Sequence, residues 1–481
     1  MMSAPAAAPE ARLSPREKVA YGFGDLGSCL FWNSFMTNLL MFYTDVFGIT
    51  AAAAGWIFFV SKFWDAANDP MVGLLADRTR TRWGRYRPYL LWFSLPLCIA
   101  AVLMFTTPNL SSTGKLIWAW VTYNVVMTLY TLVNIPYTAL MGTISPDSRE
   151  RSSVSTYKFA CAFSAGIIVS FTFMPMTRDL AHGDPAVGWQ RAFMVISAIA
   201  LPFFLLCFLG TRERVVVSPT AKKTPVMEDL KDLVANRPWL ILTGVTMAFV
   251  FFIAVRSTVT NHYLKYFMVA GQDAIGVSIP FLGQQRWDFA TLQRWYQTAD
   301  QVCSLVGVLI VGLFVKRMDK RWNFVMWFGL STLCTIWAYF LKPHQVELLI
   351  LTNSIRALAA APLCVLLWAM YSDTAEYSEW KNHRQAAGLI FSASTFAQQL
   401  GWGFGPAAAA GMLDHFGFVP NVVQTTEVLD GLVLMMSWVP AAFGILAMVV
   451  IWLYPLPDRR VREMSEELKL RRADAVASVP I

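Results

Sequence analysis

A chain of 481 residues that is 56% hydrophobic and only 15% charged, with mean hydropathy +0.47, is not an ordinary soluble protein. Its formal charge of +8 would suit nucleic acid, but the basic residues crowd alternate loops between apolar runs, which argues for a membrane and against nucleic acid. The seven cysteines are odd in number and show no CxxC spacing, which leaves neither a disulfide framework nor a zinc site supported.

The first 18 residues, MMSAPAAAPEARLSPREK, hold Ala, Pro and charges without an apolar core, so no cleavable signal peptide is expected and 1–18 reads as a tail. Charge-free apolar runs at 89–107, 116–146, 192–210, 239–255 and 431–457 are each long enough to cross about 30 Å of hydrocarbon. Less clean segments complete a set of about twelve helices: 19–47, 51–76, 89–107, 116–143, 153–176, 192–210, 239–268, 296–315, 322–341, 347–372, 387–412 and 431–455.

The second span carries WDAANDP, in which Asp65 and Asp69 lie one turn apart on one helix face and Asn68 adds an amide oxygen beside them. A charge left in a bilayer costs several kcal/mol, so acids in a span mark an ion or substrate path unless a Lys or Arg of another helix balances them. Hard cations prefer oxygen ligands, and carboxylate plus amide oxygen suits Na⁺. Burial also favours a protonated carboxyl, so H⁺ is an alternative occupant. Asp25 in span one, Lys158 in span five and Arg256 in span seven are further charges to be explained, by substrate contact or by pairing. Trp368 offers a flat face on which a sugar ring can stack, with packing as the alternative. The five histidines share no metal-binding spacing.

Basic loops alternate with loops poor in Lys and Arg. Arg78, Arg80, Arg82, Arg85 and Arg87 follow span two, Arg149 and Arg151 follow span four, and further clusters follow spans six, eight, ten and twelve. Both termini are therefore expected in the cytoplasm, which requires an even number of spans. The long polar segment 212–238 divides the chain into halves 19–211 and 239–456, followed by a tail 457–481, with an amphipathic piece expected near 226–236. A weak repeat supports the division: DRTRTRWGRYRP after span two is echoed by KRMDKRWNF after span eight. Residues 269–295 form a long outward insertion, read as a short capping helix or hairpin.

YGFGDLGS (21–28), FYTDVFG (42–48), WDAANDPMVG (64–73), DRTRTRWGRYRP (77–88), YTLVNIPYTALMGTISPDSRERS (130–152) and DTAEYSEWKNHRQAAG (373–388) together resemble the glycoside–pentoside–hexuronide:cation symporters. The resemblance runs from about 15 to 460 and implies the all-α major facilitator fold, two pseudo-symmetric six-helix halves around a central cavity. It implies a cation site at Asp65, Asn68, Asp69 and Thr131, with Na⁺ as coupling ion and H⁺ or Li⁺ as alternatives. It implies symport of a sugar, no enzyme activity, no cofactor, and a multi-pass place in a bacterial inner membrane, compatible with a monomer. The sugar positions depart from the family's melibiose pattern. Its Lys–Asp pair on the first helix falls at Ser28 and Cys29, its fourth-helix aspartate at Asn134, the following tryptophan at Thr138, and an eleventh-helix lysine at Gln399. Tyr130 is retained. Thr395 joins Gln399 as a candidate on span eleven, and Arg82, Arg85, Arg149 and Arg151 are read as gate charges. A galacto-disaccharide does not carry over. A neutral glycoside fits the loss of one negative and one positive group. Lys158 and Arg256 argue for a hexuronide, and a lysolipid carrier, a non-transporting receptor and a polytopic enzyme are the other classes weighed. The enzyme reading lacks the sizeable extramembrane domain it needs.

Overall fold

Ser14 opens the first helix: its hydroxyl accepts from the Glu17 amide at 3.3 Å, and Pro15 occupies the first turn, where a missing N–H costs nothing. The helix α1, Pro15–Met41, runs on into a π-helical segment, Phe42–Phe47, closed by Gly48 at φ +82°. The computed structural model describes residues 13–145, 148–214, 231–279, 283–315, 318–343, 345–382 and 387–477. It clusters into two units, Met1–Ile49 with Val60–Thr220, and Thr50–Phe59 with Ala221–Ile481.

The first unit continues with α2 (Ala51–Arg78), whose opening turns fall in the second, then α3 (Arg87–Met104), α4 (Ser112–Ile144), α5 (Ser148–Asp179) and α6 (Pro185–Gly210). Its core is aromatic. Phe105 stacks on Phe193 at 4.3 Å, and Phe35, Phe42, Phe173 and Trp189 close around that pair. Tyr21 and Tyr137 stack at 4.7 Å, and each hydroxyl donates to the other's backbone carbonyl, at 3.1 and 3.0 Å, which fixes α1 against α4. Gly24 makes that approach possible, since a Cβ there would lie 2.5 Å from the Tyr137 ring.

The second unit holds α7 (Arg237–His262), which like α1 ends in a six-residue π-helical segment, Tyr263–Met268. The insertion that follows is a hairpin, one of the two forms expected. Strand β1 (Ile275–Ile279) pairs antiparallel with β2 (Gly283–Trp287), Ile275 opposite Trp287. Next come α8 (Phe289–Val315), α9 (Lys320–Trp337), α10 (Val346–Asn382) and α11 (Ala387–His415). The last span, expected as one helix, is two: α12 (Thr426–Met436) and α13 (Trp438–Ile451), with Ser437 at φ −125°, ψ −85° between them. Pro440 explains the break, because it lacks the N–H that would bond the carbonyl of Met436. The tail from 458 is a docked helix, α14 (Asp458–Ala477), burying Val461, Met464 and Leu468 at helical spacing. Trp380 ties it to α10 through Nε1, which donates to Glu467 Oε2 at 2.7 Å.

Eight helical segments among the described residues, the broken last span counted as one, are long and apolar enough to cross a membrane. The described residues are mostly helical, as expected. The tail before 13, residues 215–230 of the middle loop with most of its expected amphipathic piece, Lys316, Arg317, His344, His383 and Arg384 lie outside the described residues.

The basic loop between α2 and α3 is built around an acid that the sequence pattern did not single out. Glu213, just past α6, accepts from the backbone amides of Arg85 (2.9 and 3.0 Å), Tyr86 (2.7 Å) and Arg87 (3.0 Å). Gly84 permits this turn at φ +110°, where an added Cβ would lie 2.6 Å from the carboxylate. Replacing Glu213 with Gln leaves buried amides poorly paired and should cost about 1–3 kcal/mol. Gly84→Ala adds a clash and strain and should cost more. Thermal unfolding of the detergent-purified variants checks both, and unfolding midpoints equal to the unsubstituted protein's would contradict the account.

Candidate cation and sugar site

Lys62, Asp65 and Asp69 occupy i, i+3 and i+7 of α2, a single stripe, with Asn68 beside it. Thr131 of α4 donates from Oγ1 to Asp69 Oδ1 at 3.0 Å, so the sequence-expected ligand from the fourth span meets the second-span aspartate. Trp64 Nε1 donates to Thr128 Oγ1 at 2.8 Å and holds the same two helices together one turn away. Pro70, inside α2, lacks the N–H that would bond the carbonyl of residue 66, and so frees a backbone oxygen beside the two acids.

Asp65 is balanced, but by its own helix. Lys62 Nζ lies 2.8 Å from Asp65 Oδ2, with both side chains mostly buried. This pair accounts for Asp65 Oδ2 alone. Asp65 Oδ1 and Asn68 Nδ2 are buried and, among the described residues, have no hydrogen-bond partner. Asn68 could present its oxygen instead by an amide flip. A buried carboxylate oxygen with no donor is costly unless something positive approaches it. The donor set of carboxylate, amide, hydroxyl and carbonyl oxygens fits a hard monovalent cation.

A second polar face in the same unit is formed by α1, α4 and α5. Asp25, Cys29 and Trp32 lie at i, i+4 and i+7 of α1, and Tyr130, Asn134 and Thr138 at i, i+4 and i+8 of α4. Lys158 Nζ of α5 lies 3.7 Å from Asp25 Oδ1 and 5.8 Å from the centre of the Tyr137 ring. Cys29 Sγ reaches Asp25 Oδ2 at 4.0 Å, and Trp32 stacks on Tyr130 at 5.9 Å. Asn134 is half-buried, whereas Thr138 is exposed and its hydroxyl donates to the Asn134 carbonyl. The first-unit candidates thus form one face whose Asp–Lys pair carries no net charge.

In the second unit, Trp368 of α10 stacks on Phe391 of α11 at 6.0 Å. Phe391, Thr395 and Gln399 are spaced four apart on α11. Thr395 and Gln399 are both exposed, and the Thr395 hydroxyl donates to the Phe391 carbonyl. Arg256 is buried away from this stripe. It donates to the Met436 carbonyl at the break of the last span, to Tyr296 Oη and to Asn353 Oδ1. Among the gate candidates, Arg82 covers the Trp83 ring, Arg85 covers Tyr86, and Arg151 donates to the Ser145 carbonyl. The side chain of Arg149 lies outside the described residues. Sequence reasoning passed over Lys62, Asp300 and Arg356, although each is a charge inside an expected span.

The Asp25–Lys158 pair generates a test. Breaking a buried pair by removing one partner costs about 3–5 kcal/mol, whereas removing both is far milder. Asp25→Asn and Lys158→Met should each lower the unfolding midpoint more than the double variant does. A strictly additive double variant would show that the two charges do not interact.

Comparison with known proteins gives the family. The model of the MFS/sugar transport protein family matches residues 20–458. The putative glycoside/cation symporter YagG of Escherichia coli (strain K12) is 32% identical over 473 residues, 98% of each chain. The isoprimeverose transporter of Lactiplantibacillus pentosus is 32% identical over 441 residues, covering 91% of this chain and 88% of its own. Among solved structures, a bacterial homolog of the human lysosomal transporter Spinster superposes with a TM-score of 0.66 at 15% identity, over 94% of this chain and 99% of that one, which bears on the fold alone. The inner membrane symporter YicJ of the same Escherichia coli strain is 31% identical over 463 residues, 95% of each chain. The chain belongs to the MFS/sugar transport protein family, a family of membrane transporters and not of enzymes.

Proposed function

We propose that this chain couples the entry of one Na⁺ to the entry of one sugar or glycoside by alternating access. The observation that carries the reading is the buried Asp65 Oδ1, which has no hydrogen-bond partner among the described residues, next to Asn68 and to the Asp69–Thr131 contact. That set of oxygens suits one hard monovalent cation. Asp65, Asn68, Asp69 and Thr131 are its ligands, and Li⁺ or H⁺ can stand in for Na⁺. Lys62 is a tethered competitor that holds Asp65 Oδ2 while the ion is away.

The sugar ring is recognised by the neighbouring face of Asp25, Cys29, Tyr130, Asn134, Thr138 and Lys158. Its charge balance favours hydroxyl groups over an ionised group at that point, and the amide of Asn134 offers both donors and an acceptor. Within the second unit, Trp368 offers a stacking surface and Thr395 and Gln399 offer exposed hydrogen-bonding groups as further candidates for contact with a sugar. The face bearing Arg82, Arg85, Arg149 and Arg151 is cytoplasmic, as the Lys and Arg bias of the loops implies, and these arginines control opening on that side.

Asp65→Asn or Asp69→Asn should abolish Na⁺-driven accumulation in proteoliposomes while leaving passive sugar exchange, because each removes an anionic ligand and spares the sugar face. Lys62→Met should act in the opposite sense. Without its competitor the cluster loses one positive charge beside Asp65, and Na⁺ should bind about tenfold tighter, a gain of roughly 1.4 kcal/mol. Isothermal titration of Na⁺ reads the second effect and a counterflow assay the first. Undiminished accumulation in both aspartate variants would overturn the coupling role.

A further inference from the structure

At the start of α9 the neighbouring carboxylates are occupied and one guanidinium is left over. Asp319 accepts from the amides of Arg321 at 2.9 Å and Asp458 at 2.8 Å, and Asp458 accepts from the Lys320 amide at 3.2 Å. These two acids thus satisfy the exposed amides that open α9 and α14. Asp373 is held by the Lys320 ammonium, at 2.7 and 2.8 Å. Arg459 and Arg460 share Glu463, at 3.0 and 3.8 Å. Arg321, among the described residues, has no carboxylate within ion-pair distance. Its guanidinium lies 5.9 Å from the Trp322 ring and 5.4 Å from the Trp452 ring, and these two indoles meet edge to face at 5.0 Å. Of its five N–H donors, only Nη1 has an acceptor among the described residues, the Trp452 carbonyl at 3.5 Å.

Beyond this cluster α9 and α13 present an apolar wall. Gly444 lets the two helices touch, since a Cβ there would lie 2.5 Å from Thr332 Oγ1. Phe324, Phe328, Ser331 and Thr335 bury one face of α9. Trp322, Met326, Leu330, Leu333 and Trp337 stay exposed on the other, at steps of three and four. Ile445, Val449 and Trp452 continue the exposed wall along α13. Trp322 and Trp337 are separated by about 22 Å of helix at 1.5 Å per residue. Indoles at both ends of such a wall belong at the two headgroup levels of a bilayer, and the Lys and Arg bias of the loops assigns the Arg321 end to the cytoplasm. A small anion would answer Arg321 alone. A phospholipid answers all of it, with a phosphate on the guanidinium fork and chains along the wall.

We propose that Arg321, Trp322 and Trp452 form a binding site for one anionic phospholipid. An anionic headgroup brings the negative charge that the acids around α9 do not supply to Arg321, whereas a zwitterionic one carries its own cation. The site lies wholly within the second unit and does not rest on the symporter reading.

Native mass spectrometry of the full-length protein in detergent, titrated with dioleoylphosphatidylglycerol or dioleoylphosphatidylcholine, measures the binding. The first phosphatidylglycerol should bind at least fivefold tighter than phosphatidylcholine. Arg321→Gln should abolish that preference. Trp452→Leu, which keeps the charge and the apolar surface, should weaken phosphatidylglycerol binding at least threefold and reads the site independently of the arginine. Arg459→Gln removes an equal charge from an exposed side chain already paired with Glu463, and should leave the preference within twofold of the unsubstituted protein's. Equal affinity for the two lipids, or an unchanged preference in both Arg321→Gln and Trp452→Leu, would overturn the site. An equal loss in Arg459→Gln would overturn it too, by showing only diffuse attraction to a basic surface. Displacement of the lipid by inorganic phosphate at equal concentration would overturn the assignment to a lipid.

Discussion

A low-dielectric span cannot hold an unbalanced charge cheaply, and that constraint organises the buried polar chemistry of this protein. In the first unit Asp25 is offset by Lys158 and Asp65 by Lys62. Beside that pair, Asp69 accepts from Thr131, and Asp65 Oδ1 has no hydrogen-bond partner among the described residues. In the second unit Asp300 pairs with Arg356. A transporter differs from a merely stable membrane bundle in leaving such an oxygen to be completed by cargo.

The scaffold holds these groups by short-range devices. The Tyr21–Tyr137 exchange of hydrogen bonds fixes α1 and α4, the helices that carry Asp25 and Asn134, and Gly24 lets them approach. Thr131–Asp69 and Trp64–Thr128 join α2 to α4 across the cation cluster. Arg256 spans the gap that Pro440 opens in the last helix, so one side chain both satisfies a freed carbonyl and brings a charge deep into the unit. A helix with its backbone freed inside the span is tolerated where neighbouring groups re-satisfy it.

The twelve spans were legible because apolar length and alternate basic loops are one-dimensional signals. The cation cluster was legible because WDAANDP places its acids on one face by helical period alone. The Lys62 partnership was equally readable, being an i, i+3 pair, yet it was overlooked when a balancing cation was sought on another helix. The interruption of the last span was signalled by Pro440, which an apolar window averages away. The π-helical ends of α1 and α7 have no composition signature, since Phe42–Phe47 and Tyr263–Met268 read as ordinary helix. The grip of Glu213 on the loop at 84–87 depends on backbone amides more than a hundred residues earlier, and no local pattern reveals it.

The central claim is that the first unit's buried cluster accepts one monovalent cation for each sugar moved. Simultaneous uptake of radiolabelled sodium and radiolabelled glycoside into proteoliposomes measures this ratio directly. A single oxygen-lined cation site predicts one Na⁺ per glycoside, unchanged when Mg²⁺ or Ca²⁺ is added outside. Two cations per sugar, or sugar accumulation driven by a divalent gradient, would contradict it.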